Sequence, residues 1–333
     1  MSDLAETLGD YFRLMAGNGA DHVYRAAVEA GLLDALAAKP QAAEALASSR
    51  ELDAGAVGQV LCVLRVLGLT QEAGGAWSLT PLAEALRGGA YRQLGDPYWS
   101  HLPEYLRTGE PIAAMDEAGD GTARYGKDGG QAAALGWMLR PAAAAAAEVL
   151  LHGADLDKPL RILDAGAGSA VWSLTLAAHH PRAHVTAVDR PGVVEVAQAN
   201  AEAMVLADRF IAEAADLATA ELPREAFDLA LLANVAHLLP PPALAGLCGK
   251  LAATLRPGGR LAVIDVFPGP AVGDLNRTLY TLGLSLRTRA GRTHDPAAVA
   301  AALGDAGLVD VTHRPIDALP HTLGVVVGGR RSV

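Results

Sequence analysis

Arg161-Ile-Leu-Asp-Ala-Gly-Ala-Gly-Ser-Ala-Val-Trp172, RILDAGAGSAVW in one-letter form, places two glycines one residue apart directly behind a short apolar run. A run of that length, Leu160–Leu163, reads as a buried strand, and Val171 to Ala178 reads as the start of a helix. Gly166 and Gly168 therefore make a strand-to-helix turn. In an open α/β sheet that is where ligands sit, and glycine there lets a ligand approach the backbone.

The ligand class narrows by exclusion. A dinucleotide fingerprint needs a third glycine at 171, which is valine, and a phosphate loop needs Gly-Lys-Ser/Thr, which the chain lacks. Asp164 precedes the turn, where a carboxylate repels a pyrophosphate and suits a cationic ligand end such as an ammonium or a sulfonium. The next apolar run ends in Val185-Thr-Ala-Val-Asp189, about 20 residues past the glycines, where a carboxylate accepts ribose hydroxyls. A third run leads to Asp216 and Leu217, where a carboxylate can take an adenine amino group. Three carboxylates at three successive strand ends form a constellation that scattered loop aspartates do not.

Outward from this stretch, short apolar runs alternate with helical segments at 160–163, 184–188, 209–213, 227–232 and 260–266. That alternation predicts an α/β domain with a parallel sheet. The runs 308–316 and 322–327, with only a short connection, predict an antiparallel edge pair. Residues 1–110 read differently: helices over 21–36, 41–48 and 55–67, a hairpin around Gly74-Gly75, and a helix capped by Thr80-Pro81. This is a winged-helix layout, and with Arg65 as the one basic residue on its third helix it predicts a packing or dimerisation module. Residues 111–155 read as a linker and a connecting helix broken at Pro141, and 156–333 as the ligand-binding domain.

Composition bounds the rest. The net charge of −10 over 333 residues argues against a phosphate-backbone partner. No apolar run reaches the ~18–20 residues of a membrane span, and the acidic start lacks the layout of a secretion signal, so a cytoplasmic protein is expected. Cys62 and Cys248 each sit in an apolar helical pattern and predict two buried thiols, with no metal site.

Taken together, the motifs make the chain resemble, over roughly residues 10–330, the bacterial small-molecule methyltransferases that use S-adenosylmethionine. That family joins an O-methyltransferase-type catalytic domain to a winged-helix dimerisation domain. LDAGAGSAVW, VTAVDRPGVVEVA, AEAADL, FDLALLANVAHLL and LRPGGRLAVIDVF look like its five ordered motifs, and YLRTGEP and LGLT…WSLTPLAEAL like its N-terminal signature. The resemblance implies a class I Rossmann-like sheet, S-adenosylmethionine as cofactor, a homodimer and a small-molecule acceptor from secondary metabolism. It implies cofactor contacts from Asp164, Gly166, Gly168, Asp189, Arg190, Asp216, Leu217 and Asn234. The family's third motif glycine is Ala170 here.

In the O-methyltransferases the chain resembles, a histidine just past the fourth strand is the base, and His237 holds that position, although the polar pair that often follows is Leu238-Leu239. A histidine suits proton removal near neutral pH. Its carboxylate partner is expected after the fifth strand, from Asp274, Asp295 or Asp310, with Asp295 also read as a helix cap. Pairing of His237 with His294 around a metal is a remote alternative. The acceptor pocket is expected from Trp99, His101, Tyr125, Trp137, Asn276 and Tyr280, and Arg277, Arg287, Arg289 and Arg292 suit an acidic acceptor or a solvated helix face. The alternatives are carbon or nitrogen methylation on the same scaffold, or a cofactor-binding homologue that transfers no methyl group, such as a cyclase, a hydroxylase-like protein or a regulator.

Overall fold

A computed structural model describes residues 2–87, 92–94, 96–112, 130–268, 275–316, 318 and 323–332. The chain divides into two compact units, Met1–Leu94 and Gly95–Val333, a division that falls before the expected boundary at 110.

The first unit holds α1 (Ser2–Glu29), α2 (Leu32–Ala38), α3 (Ala43–Ser49), α4 (Ala54–Val66), the hairpin β1 (Thr70–Ala73) and β2 (Ala76–Leu79), and α5 (Pro81–Arg87). The single helix expected over 21–36 is two. Gly31 separates them in the left-handed region at φ 68°, and the Arg50 guanidinium fills the space a side chain there would need. Gly74 and Gly75, both at positive φ, turn the hairpin as their sequence predicts. Leu33, Leu46, Leu61, Leu64 and Trp77 are buried together in this unit's own core.

The second unit begins with α6 (Asp96–Trp99), α7 (Leu102–Thr108) and the long α8 (Gly130–Leu150). Helix α8 runs through Pro141, where the sequence suggested a break. Proline removes one backbone bond, but Leu139, Ala142, Ala143, Ala146, Ala147 and Leu150 are all buried on the same core, and that burial holds the helix together.

A seven-stranded sheet follows: β3 (Leu160–Ala165), β4 (Ala183–Asp189), β5 (Phe210–Ala214), β6 (Phe227–Ala233), β7 (Leu255–Val266), β8 (Val309–Ile316) and β9 (Leu323–Gly329), in the order β5-β4-β3-β6-β7-β9-β8. The first five strands are parallel, and β9 and β8 pair antiparallel at the edge. Alternate residues feed separate cores on the two faces: Ile162, Leu229, Leu231 and Ile264 on one, Leu163, Ala230, Leu232 and Val263 on the other. Strand β7 starts five residues earlier than its apolar run, because Leu255 pairs with Phe227 across a register shift. Helices α9 (Val171–His179), α10 (Pro191–Ala203), α11 (Pro241–Ala252), α12 (Leu275–Arg287) and α13 (Pro296–Asp305) complete the unit.

From β3 the chain moves outward to β4 and β5, then returns to lay β6 on the other side of β3. The strand order reverses between β3 and β6, so their carboxyl ends flank the crevice where ligands bind in such sheets.

The cysteines differ from expectation. Cys248 is buried, but Cys62 is exposed on α4, whose core-facing positions are Val57, Leu61 and Leu64. Position 62 follows Leu61 by about 100° of helical rotation and so leaves the buried stripe.

Candidate active site

The turn after β3 is built on positive φ angles at Gly166, Gly168 and Ala170. At Gly166 the chain also passes so close to Val235 that a Cβ would stand 2.6 Å from its Cγ2, with Leu217 next nearest at 3.4 Å. This brings together the ends of β3 and β6 and the loop after β5. Beside Gly168 nothing lies within 4 Å of where a Cβ would be, so the turn opens onto free space.

Asp189 ends β4 and ties down that turn. One carboxylate oxygen accepts the Gly168 N–H at 2.8 Å and the other the Arg190 N–H at 2.7 Å. Burial outweighs those bonds and holds the Asp189 carboxyl above its ordinary range. Asp164, 1% exposed, accepts the Ser173 hydroxyl at 2.5 Å through one oxygen, and its other oxygen has no hydrogen-bond partner. Burial chiefly, opposed by Ser173 and assisted by the charge of Asp189, pushes its carboxyl up to about 7. Asn234 follows β6 in the left-handed region at φ 56°, and its buried amide oxygen also lacks a hydrogen-bond partner. Two buried acceptors at neighbouring strand ends are thus left without donors, which costs free energy unless a ligand supplies them.

Leu217 reaches Gly166 and its carbonyl accepts from Lys250 Nζ at 2.7 Å. Asp216 is exposed and one of its oxygens accepts the Ala218 N–H of its own turn.

Three residues past Asn234, a single turn of 3₁₀ helix (Ala236–Leu238) presents His237, 8% exposed. Its Nδ1 lies 2.8 Å and 3.1 Å from the two carboxylate oxygens of Asp265, and its backbone N–H donates to Asp265 at 3.0 Å. An ionised carboxylate only accepts, so Nδ1 carries the hydrogen and Nε2, on the far side of the ring, keeps a lone pair. Asp265 corrects the sequence expectation. Asp295 instead caps α13 by accepting the Ala297 N–H, Asp310 is exposed on the outer strand β8, and Asp274 lies outside the described residues. The signal was available, since Asp265 is the one charged residue in Leu261-Ala-Val-Ile-Asp-Val266 and stands at the strand end beside β6. His294 turns its Nε2 to the carbonyls of Ala236 and Leu239.

Helix α12 gathers part of the expected acceptor pocket. Tyr280 meets the His237 ring edge-on at 5.7 Å, and Trp99 and Tyr98 lie over Gly283, each 3.9 Å from where a Cβ would be. His101 Nε2 is 2.9 Å from the Glu110 carbonyl and Asn276 is exposed. Tyr125 and the side chain of Trp137 lie outside the described residues. Of the arginines, Arg287 stacks on Tyr98 and bonds the Gly283 carbonyl, Arg289 pairs with Glu110, and Arg292 reaches the Ala290 carbonyl.

Residues 162–259 match a protein family described as a methyltransferase domain. The chain is a methyltransferase. Its motifs and fold are those of the S-adenosylmethionine-dependent enzymes. Demethylspheroidene O-methyltransferase of Rhodobacter capsulatus is 25% identical over 96% of this chain and 81% of its own. Among solved structures, an O-methyltransferase family protein from Burkholderia thailandensis superposes with a TM-score of 0.75 at 21% identity, covering 98% of each chain. Human N-acetylserotonin methyltransferase, solved in complex with SAM, superposes with 0.73 at 21% identity over 99% of this chain and 98% of that one. For this methyltransferase the two superpositions speak to the fold.

Proposed function

We propose that this methyltransferase transfers a methyl group from S-adenosylmethionine to a hydroxyl of a small molecule, with His237 as the general base. The observation that carries the reading is the buried His237–Asp265 pair, two residues from the Val235 that packs on the glycine turn.

The residues around that turn fit the cofactor. Open space beside Gly168 admits it, the donor-less oxygen of Asp164 suits its ammonium, and Asp189 suits its ribose hydroxyls. Leu217 and Arg190 flank the same turn, and the Asn234 oxygen adds a second free acceptor. Asp216, exposed, would take an adenine amino group. When bound, S-adenosylmethionine supplies an activated methyl carbon on a sulfonium. The protein's task is to hold the acceptor in line and to remove its proton. Asp265 fixes the His237 ring and keeps the hydrogen on Nδ1, so Nε2 can receive the acceptor's hydroxyl proton. With the methyl carbon supplied by the bound cofactor, the proton given up by the acceptor's hydroxyl would rest on the His237 imidazole, opposite the Asp265 carboxylate that stabilises it.

Tyr280 and Trp99, on and against α12, support an acceptor site beside His237, to which His101 and Asn276 are proposed to contribute. On the first unit, Leu8, Tyr11, Phe12 and Met15 leave an apolar stripe exposed along α1 at helical spacing. That stripe, with the helix–helix–hairpin order of a winged helix, supports a homodimer.

Calorimetric titration with S-adenosylhomocysteine tests the cofactor assignment. Binding by the wild type, weakened at least about tenfold in Asp189→Ala, supports it. No binding by the folded wild type refutes it. With an acceptor in hand, His237→Ala should lower kcat by roughly 10²–10⁴-fold at unchanged S-adenosylhomocysteine affinity, and a fully active variant would remove the base.

A further inference from the structure

We infer that His294 is a positioning residue for the His237 base: it clamps the turn that carries His237 by donating one N–H to two backbone carbonyls on either side of it. This deepens the reading of His237 as base and rests on it.

The turn is held from opposite sides. From the sheet, Asp265 takes the His237 N–H and Nδ1. From the other side comes the segment between α12 and α13. His294 Nε2 lies 2.9 Å from the Ala236 carbonyl and 3.0 Å from that of Leu239, and the Arg292 N–H donates to the His237 carbonyl at 2.8 Å. Carbonyls only accept, so Nε2 of His294 carries a hydrogen and shares it between them. Three of the four carbonyls from Ala236 to Leu239 are thereby engaged by two residues, 292 and 294.

The clamp is itself anchored. Thr288 Oγ1 accepts the Gly291 N–H at 2.9 Å while donating to the Leu284 carbonyl of α12, and Asp295 caps α13. Gly291 lets the segment close on the turn, since a Cβ there would meet Thr288 Oγ1 at 2.1 Å and the His237 carbonyl at 3.2 Å. His294 is 7% exposed, so a lost donor leaves the Leu239 carbonyl unsatisfied in a nearly dry place and the Ala236 carbonyl with the Leu239 N–H alone. The sequence left this histidine as a remote metal-ligand candidate. Its geometry gives Nε2 a different task, because that nitrogen donates its hydrogen to carbonyls and has no lone pair for a metal.

The test uses full-length, uniformly ¹⁵N-labelled protein and follows the His237 Nδ1 proton by NMR, assigned by its absence in His237→Asn. In His294→Ala this proton should exchange with water at least about tenfold faster, or vanish, while the Gly168 amide held by Asp189 and the affinity for S-adenosylhomocysteine stay as in wild type. His294→Gln, whose amide N–H can replace Nε2, should restore most of the protection. Unchanged exchange in folded His294→Ala overturns the inference, as does faster exchange that extends equally to the Gly168 amide. If His294→Ala does not fold, His294→Gln decides: a protected His237 proton supports the clamp and an unprotected one refutes it. The readout needs neither acceptor nor methyl transfer, so loss of S-adenosylhomocysteine binding by the wild type would strike the proposed function and leave the clamp standing.

Discussion

Asp164 is ionised in water at neutral pH but is held to about 7 by burial in the folded chain. The folded state then binds a proton more tightly than the unfolded chain between the ordinary aspartate range and about 7. This group's contribution to stability therefore falls as pH rises through that window, and is constant above it. Asp164→Asn should flatten that part of a urea-denaturation profile measured from pH 4 to pH 8. A cationic ligand end at the free oxygen favours the ionised form, so S-adenosylhomocysteine should bind more tightly as pH rises toward about 7, by up to roughly tenfold per unit. Calorimetry at pH 6 and pH 8 measures the difference, and equal affinities in wild type and Asp164→Asn would place the ammonium elsewhere. Ala170 makes a second residue-scale case. It sits at φ 55° and is fully buried, a conformation that alanine tolerates at a cost of roughly 1–2 kcal/mol. Ala170→Val adds β-branching where that backbone is least allowed and volume where there is none. We expect it to lower stability by about 2–3 kcal/mol, read as a shift in the denaturant midpoint at constant slope.

Helix α8 and strand β7 show how whole elements set the site. Gly136 on α8 faces the glycine turn, and a Cβ there would stand 2.7 Å from Ser169 Oγ. Asn200 on α10 holds the same residue through its carbonyl, so Ser169 has little room to yield. Gly136→Val should therefore displace the turn and weaken S-adenosylhomocysteine binding by more than tenfold, while the circular dichroism of the fold is kept. Strand β7 delivers Asp265, which accepts from His237 twice and from the Val266 N–H. Asp265→Asn keeps the shape but can hand the ring a donor, which moves the hydrogen to Nε2. Methyl transfer should fall by roughly 10²–10⁴-fold with cofactor affinity intact. These elements also show what was legible from the chain. The parallel strands and the edge pair were, because each is a short apolar run that both faces of a sheet demand. The glycine turn was, because few other residues can take its angles. Asp265 was not seen, since a carboxylate inside an apolar strand reads as part of the strand until its neighbour in the sheet is known. His294 was seen as a residue but not in its role, since its partners are backbone carbonyls 55 and 58 positions away and carbonyls leave no mark in a sequence. Gly31 and Pro141 misled in opposite directions because one ends a helix and the other is overridden by buried alanines.

At the scale of the molecule, the two units keep separate cores. Among the described residues no helix is long and apolar enough to cross a membrane. The exposed stripe of α1 is the face proposed to meet a second copy. Replacing Tyr11 and Phe12 by serine should convert a dimer to a monomer in sedimentation velocity without lowering the stability of the catalytic unit, and an unchanged mass would move the interface off α1.

The contrast between the two thiols has a practical consequence. Cys248 is buried and its thiol is pushed up to about 11, whereas Cys62 is exposed on the first unit. A thiol reagent should therefore attach once per native chain and twice per unfolded one. The chain thus offers a ready handle for a single fluorophore on its amino-terminal unit, placed there without engineering.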